Sequence, residues 1–371
     1  MKLLVAGDLV VTRSFNTNCI SQELKDIFLS TDYNIVNLEA PITESGTRIL
    51  KTGPHLKGHL ESTIELLSTL QIDLVTLANN HILDYDEKGV LDTLAICKDH
   101  GFSTVGAGKN KNEAASIFYL DSQEGEIAII NIAENEWASA TEKSAGANGM
   151  DLIDNAKHIQ EAKGKSDHVI VIVHGGHEYY NLPSPRMQKQ YRFYIDNGAD
   201  IVIGHHTHCV NGDEEYKGKQ IYYSLGNFLF TKPSVYDDWY TGLVLELNIS
   251  AGNITSELHP VKQNKSTFSL DIISGEEKDK LFQRLSVYRD IIKDKSRLSF
   301  EWSEYVKRQR NSYLRYWSPY SFINNRYFKW LLRKVNVSLV NKKGLALYLN
   351  LMRCEAHSDM SKEVVGKYIS K

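Results

Sequence analysis

The chain is poor in the residues that staple structure together or break it up. Its four cysteines, Cys19, Cys97, Cys209 and Cys354, are scattered over 371 residues with no CxxC pair. That argues against a disulfide framework and a thiolate zinc site, and fits reduced thiols. Cys209 follows a histidine cluster, yet a lone thiol there is read as structural. There are only 7 prolines, and no low-complexity tract or internal repeat, so the composition is that of a folded chain. No apolar run approaches the roughly 20 residues that cross a bilayer. The amino end, Met1-Lys2-Leu3-Leu4-Val5-Ala6-Gly7-Asp8, enters a short apolar strand and does not resemble a signal peptide. The expectation is a soluble, cytoplasmic protein. Also missing are a Gly-x-Ser-x-Gly elbow and a P-loop, and Gly106-Ala107-Gly108 is too short for a dinucleotide fingerprint.

What is present is enough for a sizeable core: 42% of residues are hydrophobic against 24% charged. Net charge is −3, but it is unevenly spread. Residues 1–260 carry 20 Lys and Arg against 35 Asp and Glu, and residues 261–371 carry 23 against 11. The step from acidic to basic sets an expected boundary: a domain over 1–261 and a basic extension over 262–371.

Short apolar runs alternate with amphipathic stretches through residue 250. Leu3–Ala6, Ile35–Leu38, Leu74–Leu77, Ile127–Ile132, Val169–Val173 and Ile201–Ile203 read as strands, several of them continuous Val/Ile/Leu runs buried on both faces. Leu60–Leu70, Glu87–His100, Asp154–Lys163 and Met187–Asn197 read as helices, the last stopped by Gly198. This alternation predicts a layered α/β fold. Gln220–Leu225, Gly242–Ile249 and Ile254–Val261 read as a hairpin-rich closing sheet. Beyond residue 275 the spacing turns helical.

The chemistry gathers at strand ends. Asp8 follows the first strand, Glu39 the second, Asn79-Asn80-His81 the third, His174 the Val169–Val173 run, and His205, His206 and His208 the Ile201–Ile203 run. Parallel strands would bring these residues to one edge, where open α/β sheets place their sites. A lone histidine at a strand end is more often hydrogen-bonded structure than a ligand, and Asp8 alone would pass for a helix cap. Five ligand-capable ends in series point to a metal centre. Carboxylates, a carboxamide and imidazoles suit Mn, Fe or Zn in a catalytic setting.

The ordered segments Gly7-Asp8, Asn37-Leu38-Glu39-Ala40-Pro41, Ala78-Asn79-Asn80-His81 with Asp84, His174-Gly175-Gly176-His177-Glu178-Tyr179, Gly204-His205-His206-Thr207-His208 and Ser224-Leu225-Gly226-Asn227-Phe228 resemble the motif series of the CapA family over about residues 1–230. These poly-γ-glutamate capsule biosynthesis proteins are related to calcineurin-like metallophosphoesterases. The resemblance implies an α/β/β/α metallophosphoesterase-like sandwich, here with a helical C-terminal extension. It implies one or two divalent ions held by Asp8, Glu39, Asn80, His174, His206 and His208, with His81 as the catalytic histidine. Glu178, just past a strand end, is expected to orient a ligand or act as a base. His55, in a loop like the family's substrate-side segment, His177, where relatives usually carry Trp, and Asn227 are placed on the substrate side.

Two departures from the phosphoesterase pattern stand out. Val10 occupies the third position of its Asp-x-His motif, and Glu39 is one methylene longer than the usual bridging Asp. They leave open one ion or two, and chemistry other than phosphoester hydrolysis. The first reading is a metal-dependent hydrolase in making or processing a cell-surface polymer, by metal-activated water attack on a phosphoester or amide bond. Its substrate would be an anionic polymer or a phosphorylated small molecule, with capsule-assembly proteins as partners. The rival is a non-hydrolytic assembly partner that binds an anionic polymer through a metal site. A third reading uses the tail, where Tyr316, Trp317, Tyr320, Phe322, Tyr327, Phe328 and Trp330 alternate with Arg and Lys. A membrane surface fits that mixture, nucleic acid less so, and a helical extension packed on the acidic region is favoured over both.

Overall fold

A computed structural model describes residues 1–316, 323, 325–335, 340–353, 357–358, 361, 365–366 and 369. The chain opens with β1 (Lys2–Val10), α1 (Gln22–Leu29), β2 (Tyr33–Leu38), α2 (Leu60–Thr69), β3 (Leu74–Thr76), α3 (Asp86–Asp99) and β4 (Ser103–Val105). Short β5 (Ala107–Gly108) and α4 (Lys111–Ala114) lead to β6 (Phe118–Leu120), β7 (Ile127–Ala133) and β8 (Gly146–Ala147). There follow α5 (Leu152–Lys165), β9 (His168–His174), α6 (Pro185–Asp196) and β10 (Ile201–His205). The closing strands are β11 (Asp213–Tyr216), β12 (Lys219–Tyr222), β13 (Asn227–Phe230), β14 (Thr241–Ser250), β15 (Asn253–Gln263) and β16 (Leu270–Ile272). Helices α7 (Gly275–Lys293), α8 (Lys295–Tyr316), α9 (Arg326–Lys334) and α10 (Lys342–Arg353) complete the described elements.

Local chemistry explains the borders. Asp151 accepts hydrogen bonds from the Ile153 and Asp154 amides, so α5 begins at Leu152, earlier than the apolar spacing alone indicates. Ser184 caps α6 and Pro185 fills its first turn. Gly198, at φ +117°, takes the left-handed turn that ends it.

Two sheets stack face to face. One has the order β16-β15-β14-β1-β2-β3-β4, with β13 also beside β1, and the other β11-β12-β10-β9-β7-β6. Strands β1 to β4 run parallel to one another, as do β7, β9, β10 and β12. Leu3, Val5, Ile35 and Leu245 of the first sheet meet Ile129, Ile172 and Ile203 of the second in the central core. Leu24 and Phe28 of α1, Leu66 of α2 and Val90 of α3 cover the outer face of the first sheet. Helices α5 and α6 cover the outer face of the second. The result is the expected α/β/β/α sandwich, followed by helices.

Two expectations change. The closing strands do not form a sheet of their own: β12 joins the second sheet, and the β14–β15 hairpin extends the first through β1. The step in charge does not mark a structural border, because residues 261 and 262 both lie within β15. The chain instead divides into compact units at Met1–Leu298 and Ser299–Lys371. Helix α7 belongs to the first, burying Leu281, Leu285, Ile291 and Ile292. The second is helical where described, with Tyr327, Phe328 and Trp330 of α9 exposed. Trp317, Tyr320 and Phe322 lie outside the described residues. No helix among the described residues is long and apolar enough to cross a membrane.

Candidate metal centre

The carboxyl ends of β1, β2, β3, β9 and β10 converge between the sheets. Asp8 lies inside β1, where a bulge between Asp8 and Leu9 shifts the pairing and β13 takes up the register at Asn227. Close backbone approach is needed here. A Cβ on Gly7 would stand 2.1 Å from the Gly226 carbonyl oxygen, and one on Gly204 2.1 Å from that of Tyr223. His206 and His208 both adopt positive φ, +89° and +54°. Such strain in non-glycine residues collects at functional sites.

The expected ligands meet. His174 Nε2 lies 3.0 Å from Asn80 Oδ1, 3.1 Å from His206 Nδ1 and 3.4 Å from Glu39 Oε1. Two donor atoms about 2.1 Å from one ion, subtending 90–110°, stand about 3.0–3.4 Å apart. These four side chains therefore already hold the spacing of a coordination sphere. On the other side of Glu39 the fit is looser: His208 Nε2 is 3.8 Å from Glu39 Oε1, and His208 Nδ1 is 3.7 Å from Asp8 Oδ2. Glu39 belongs to both groups, Glu39–His174–His206 and Asp8–Glu39–His208. Its two carboxylate oxygens are buried without a hydrogen-bond partner. A buried carboxylate in that condition is costly unless a cation sits beside it. The donor set fits one or two divalent ions.

Burial dominates the electrostatics. It pushes the Asp8 carboxyl up to about 7, against hydrogen bonds from Asn37 and the His206 amide. Glu39 is driven well above the ordinary carboxylate value, first by burial and then by Asp8, Glu178, Glu136 and Asp84. Burial also lowers His206 to about 3 and His208 to about 4, and takes His174 well below its usual value. The imidazoles thus offer free lone pairs at neutral pH, beside carboxyls that resist ionising without a counter-charge. A divalent cation supplies that charge.

His81 is held by a buried ion pair. Its Nδ1 is 2.6 Å from Asp84 Oδ2 and 3.2 Å from Lys51 Nζ. Lys51 is also ion-paired with Asp84, and both are buried. With Nδ1–H directed at Asp84, His81 keeps Nε2 free. Burial lowers its pKa despite Asp84. Glu178 is exposed at the mouth, near enough to raise Glu39. Beside it Tyr179 stacks on Tyr236 at 4.0 Å, and Trp239 lies 4.7 Å from His208, so one wall of the mouth is aromatic.

The residues expected on the substrate side separate. His177 is half-buried at the rim near Glu134 and Arg186. His55 Nε2 bonds the Ile49 carbonyl at 2.8 Å, which stabilises the fold of its own loop. Asn227 is buried, and both its polar atoms are engaged: Nδ2 donates to the Trp239 carbonyl and Oδ1 faces His208 Nδ1 at 2.9 Å. Asn227 Oδ1 thus accepts from His208 Nδ1–H, which leaves Nε2 turned to Glu39. Val10 is buried among Leu56, Phe230 and Trp239, with no ligating atom to offer. Cys209 is buried beside Thr207 and Asn211, its thiol pushed up to about 12 by burial.

Three contributors escape the sequence reading. Asn37 Nδ2 donates to Asp8 Oδ1 at 2.7 Å, and the signal was a polar residue in an otherwise apolar buried strand. Lys51 reaches Asp84 from an irregular loop that carries no pattern. Glu136 stands on the turn after β7, past the end of the apolar run, and its Oε1 lies 3.7 Å from His206 Nε2.

The sequence matches the family described as bacterial capsule synthesis protein PGA_cap over residues 2–232. A capsule biosynthesis protein CapA of Bacillus anthracis is 31% identical over 247 residues, covering 62% of this chain and 60% of that protein. A PGA biosynthesis protein CapA of Bacillus subtilis (strain 168) is 33% identical over 224 residues, covering 59% of each. The matched region thus spans less than two thirds of either relative. The crystal structure of a novel phosphatase from Mycoplasma pneumoniae aligns with a TM-score of 0.46 at 12% identity, over 72% of this chain and 95% of that one.

Proposed function

Because the chain belongs to the bacterial capsule synthesis protein family, we propose that it is a divalent-metal-dependent hydrolase in the making or trimming of a cell-surface polymer, poly-γ-glutamate or a capsular polysaccharide. The observation that supports this most is Glu39, a buried carboxylate with no hydrogen bond, shared by two groups of ligand atoms. Asp8, Glu39, Asn80, His174, His206 and His208 would hold the ion or ions. Nitrogen and oxygen donors without a thiolate suit Mn, Fe or Zn. A bound divalent ion supplies Lewis acidity and lowers the pKa of water, which serves attack on phosphorus or on a carbonyl carbon.

The chain's own residues supply the rest. His81 Nε2 takes and returns the reaction's proton while Asp84 stabilises the imidazolium formed in between. Lys51 holds Asp84 in place. Glu178, at the mouth, orients or deprotonates the incoming nucleophile. The aromatic wall shields one side of the site from water.

Turnover decides the reading. Chelator-treated protein resupplied with Mn, Fe(II) or Zn is offered bis(p-nitrophenyl) phosphate, p-nitrophenyl phosphate and γ-glutamyl-p-nitroanilide. The reading predicts metal-dependent turnover of at least one, falling more than about 100-fold in Asp8→Ala and His206→Ala, beyond what losing an outer partner costs. The second reading, an assembly partner, draws on Val10, which leaves the Asp8 side one ligand short. Retention of poly-γ-glutamate by metal-loaded protein that turns over none of the three substrates would favour it.

A further inference from the structure

Outer partners of the ligands are plain on the looser, Asp8–His208 side of the centre. Asn227 holds His208, and Asn37 holds Asp8. Asn80 and His206, the two ligands flanking His174, receive no such support from any strand that carries a ligand. Both instead face the turn that follows β7.

Asn80 must present oxygen to an ion, because an amide nitrogen has no lone pair to give. Its Oδ1 does face His174 Nε2, at 3.0 Å. Its side chain lies close enough to the Glu136 carboxyl to lower that group's pKa against the upward push of burial. His206 has the complementary need. Its Nδ1 is the atom 3.1 Å from His174 Nε2, so the proton belongs on Nε2, which lies 3.7 Å from Glu136 Oε1. That gap is too long for a hydrogen bond as it stands. It is within reach of a rotation of the Glu136 side chain, which is 41% exposed.

The turn carrying Glu136 is itself anchored. The Glu134 amide donates to the His174 carbonyl at 3.0 Å, and Glu134 Oε2 accepts from the Gly176 amide at 3.1 Å. Glu134 also pairs with Arg186. Asn135 Nδ2 donates to the Met150 carbonyl at 2.7 Å, and its Oδ1 accepts from Ser139 Oγ. The backbone under Glu136 is therefore tied to the strand end that bears His174.

We infer that Glu136 is a positioning residue for the Glu39–Asn80–His174–His206 half of the centre, one carboxylate accepting from the Asn80 amide and from His206 Nε2–H. Asn80 then offers only oxygen and His206 only Nδ1 to a divalent ion. This rests on the metal-dependent reading above. It predicts an effect on ion affinity with little on the identity of the ligands, the mark of a group that acts through others.

Co2+ titration of the chelator-treated full chain tests it, followed by its d–d absorption. In Glu136→Ala the tighter equivalent should weaken by about 10–100-fold, with the absorption bands unmoved. Glu136→Gln, which keeps one acceptor oxygen, should fall between wild type and Glu136→Ala. Both variants should melt, metal-free, at the wild-type temperature. Affinity in Glu136→Ala equal to wild type overturns the inference and leaves the metal-dependent reading standing. Displaced bands overturn it too, by making Glu136 a ligand. A wild-type chain that takes up no Co2+ removes both.

Discussion

Asp8 and Glu39 are carboxyls whose ionised form a bound cation would stabilise. Each is buried, and each is pushed toward the neutral form, Asp8 to about 7 and Glu39 well above the usual range. The imidazoles pose no such limit, since burial keeps His206 and His208 neutral down to about 3 and 4. Ion binding must therefore expel protons from the carboxyls. Affinity for Mn2+ should rise with pH through about 7, by up to tenfold per unit for each proton released. Calorimetry in buffers of different ionisation enthalpy should show proton release on binding. A pH-independent affinity between 5 and 8 would contradict this assignment of the ligands. His81 carries a different prediction. Its Nδ1 is committed to Asp84, so His81→Ala should lower turnover about 10²–10⁴-fold and leave metal content unchanged. Loss of the ion in that variant would make His81 a ligand instead.

Strands made the site legible, and their pairing did not. Ile35–Leu38 and Val169–Val173 are continuous apolar runs, so the polar residue at each end stood out. The same rule singles out Asp8, Glu39, His174, His206 and His208 as strand-end residues. It missed Glu136, which stands on a turn past the strand end, held by hydrogen bonds from distant residues. It does not reveal the contact of Asn227 with His208, because no local pattern shows that β13 pairs with β1. Nor could local pattern divide β12 from β14, since the choice of sheet is made by contacts far apart in sequence. The close approach of strands gives the sharpest test at this scale. In Gly204→Ala the new Cβ would stand 2.1 Å from the Tyr223 carbonyl oxygen, a backbone atom that cannot swing aside. The expected loss is about 2–3 kcal/mol or more, read as a lower denaturation midpoint with weaker ion binding. An unchanged midpoint would show that β10 and the β12–β13 link can move apart freely.

Over the whole chain, charge and architecture change at different places. The acidic-to-basic step falls near residue 261, inside β15, while the compact unit runs to Leu298. Truncation at 262 removes Gln263, which bonds both the amide and the carbonyl of Phe230, and with it β16 and α7. It also removes buried Leu281, Leu285 and Ile292, worth about 2 kcal/mol each when fully buried, and the Arg289–Asp213 pair. The shortened chain should therefore unfold or aggregate, whereas a chain ending at Leu298 should keep a cooperative melt. Equal stability of the two would move the border back to the charge step. In the proposed centre one carboxylate, Glu39, joins Asp8, Asn80 and three histidines around a divalent ion. Its most direct test is the metal content of the purified full-length chain, by elemental analysis after dialysis against metal-free buffer. The account predicts about one or two equivalents of Mn, Fe or Zn in the wild type, and near-complete loss in Glu39→Ala with the fold retained. A wild type without metal, or a Glu39→Ala chain that keeps all of it, would contradict the account.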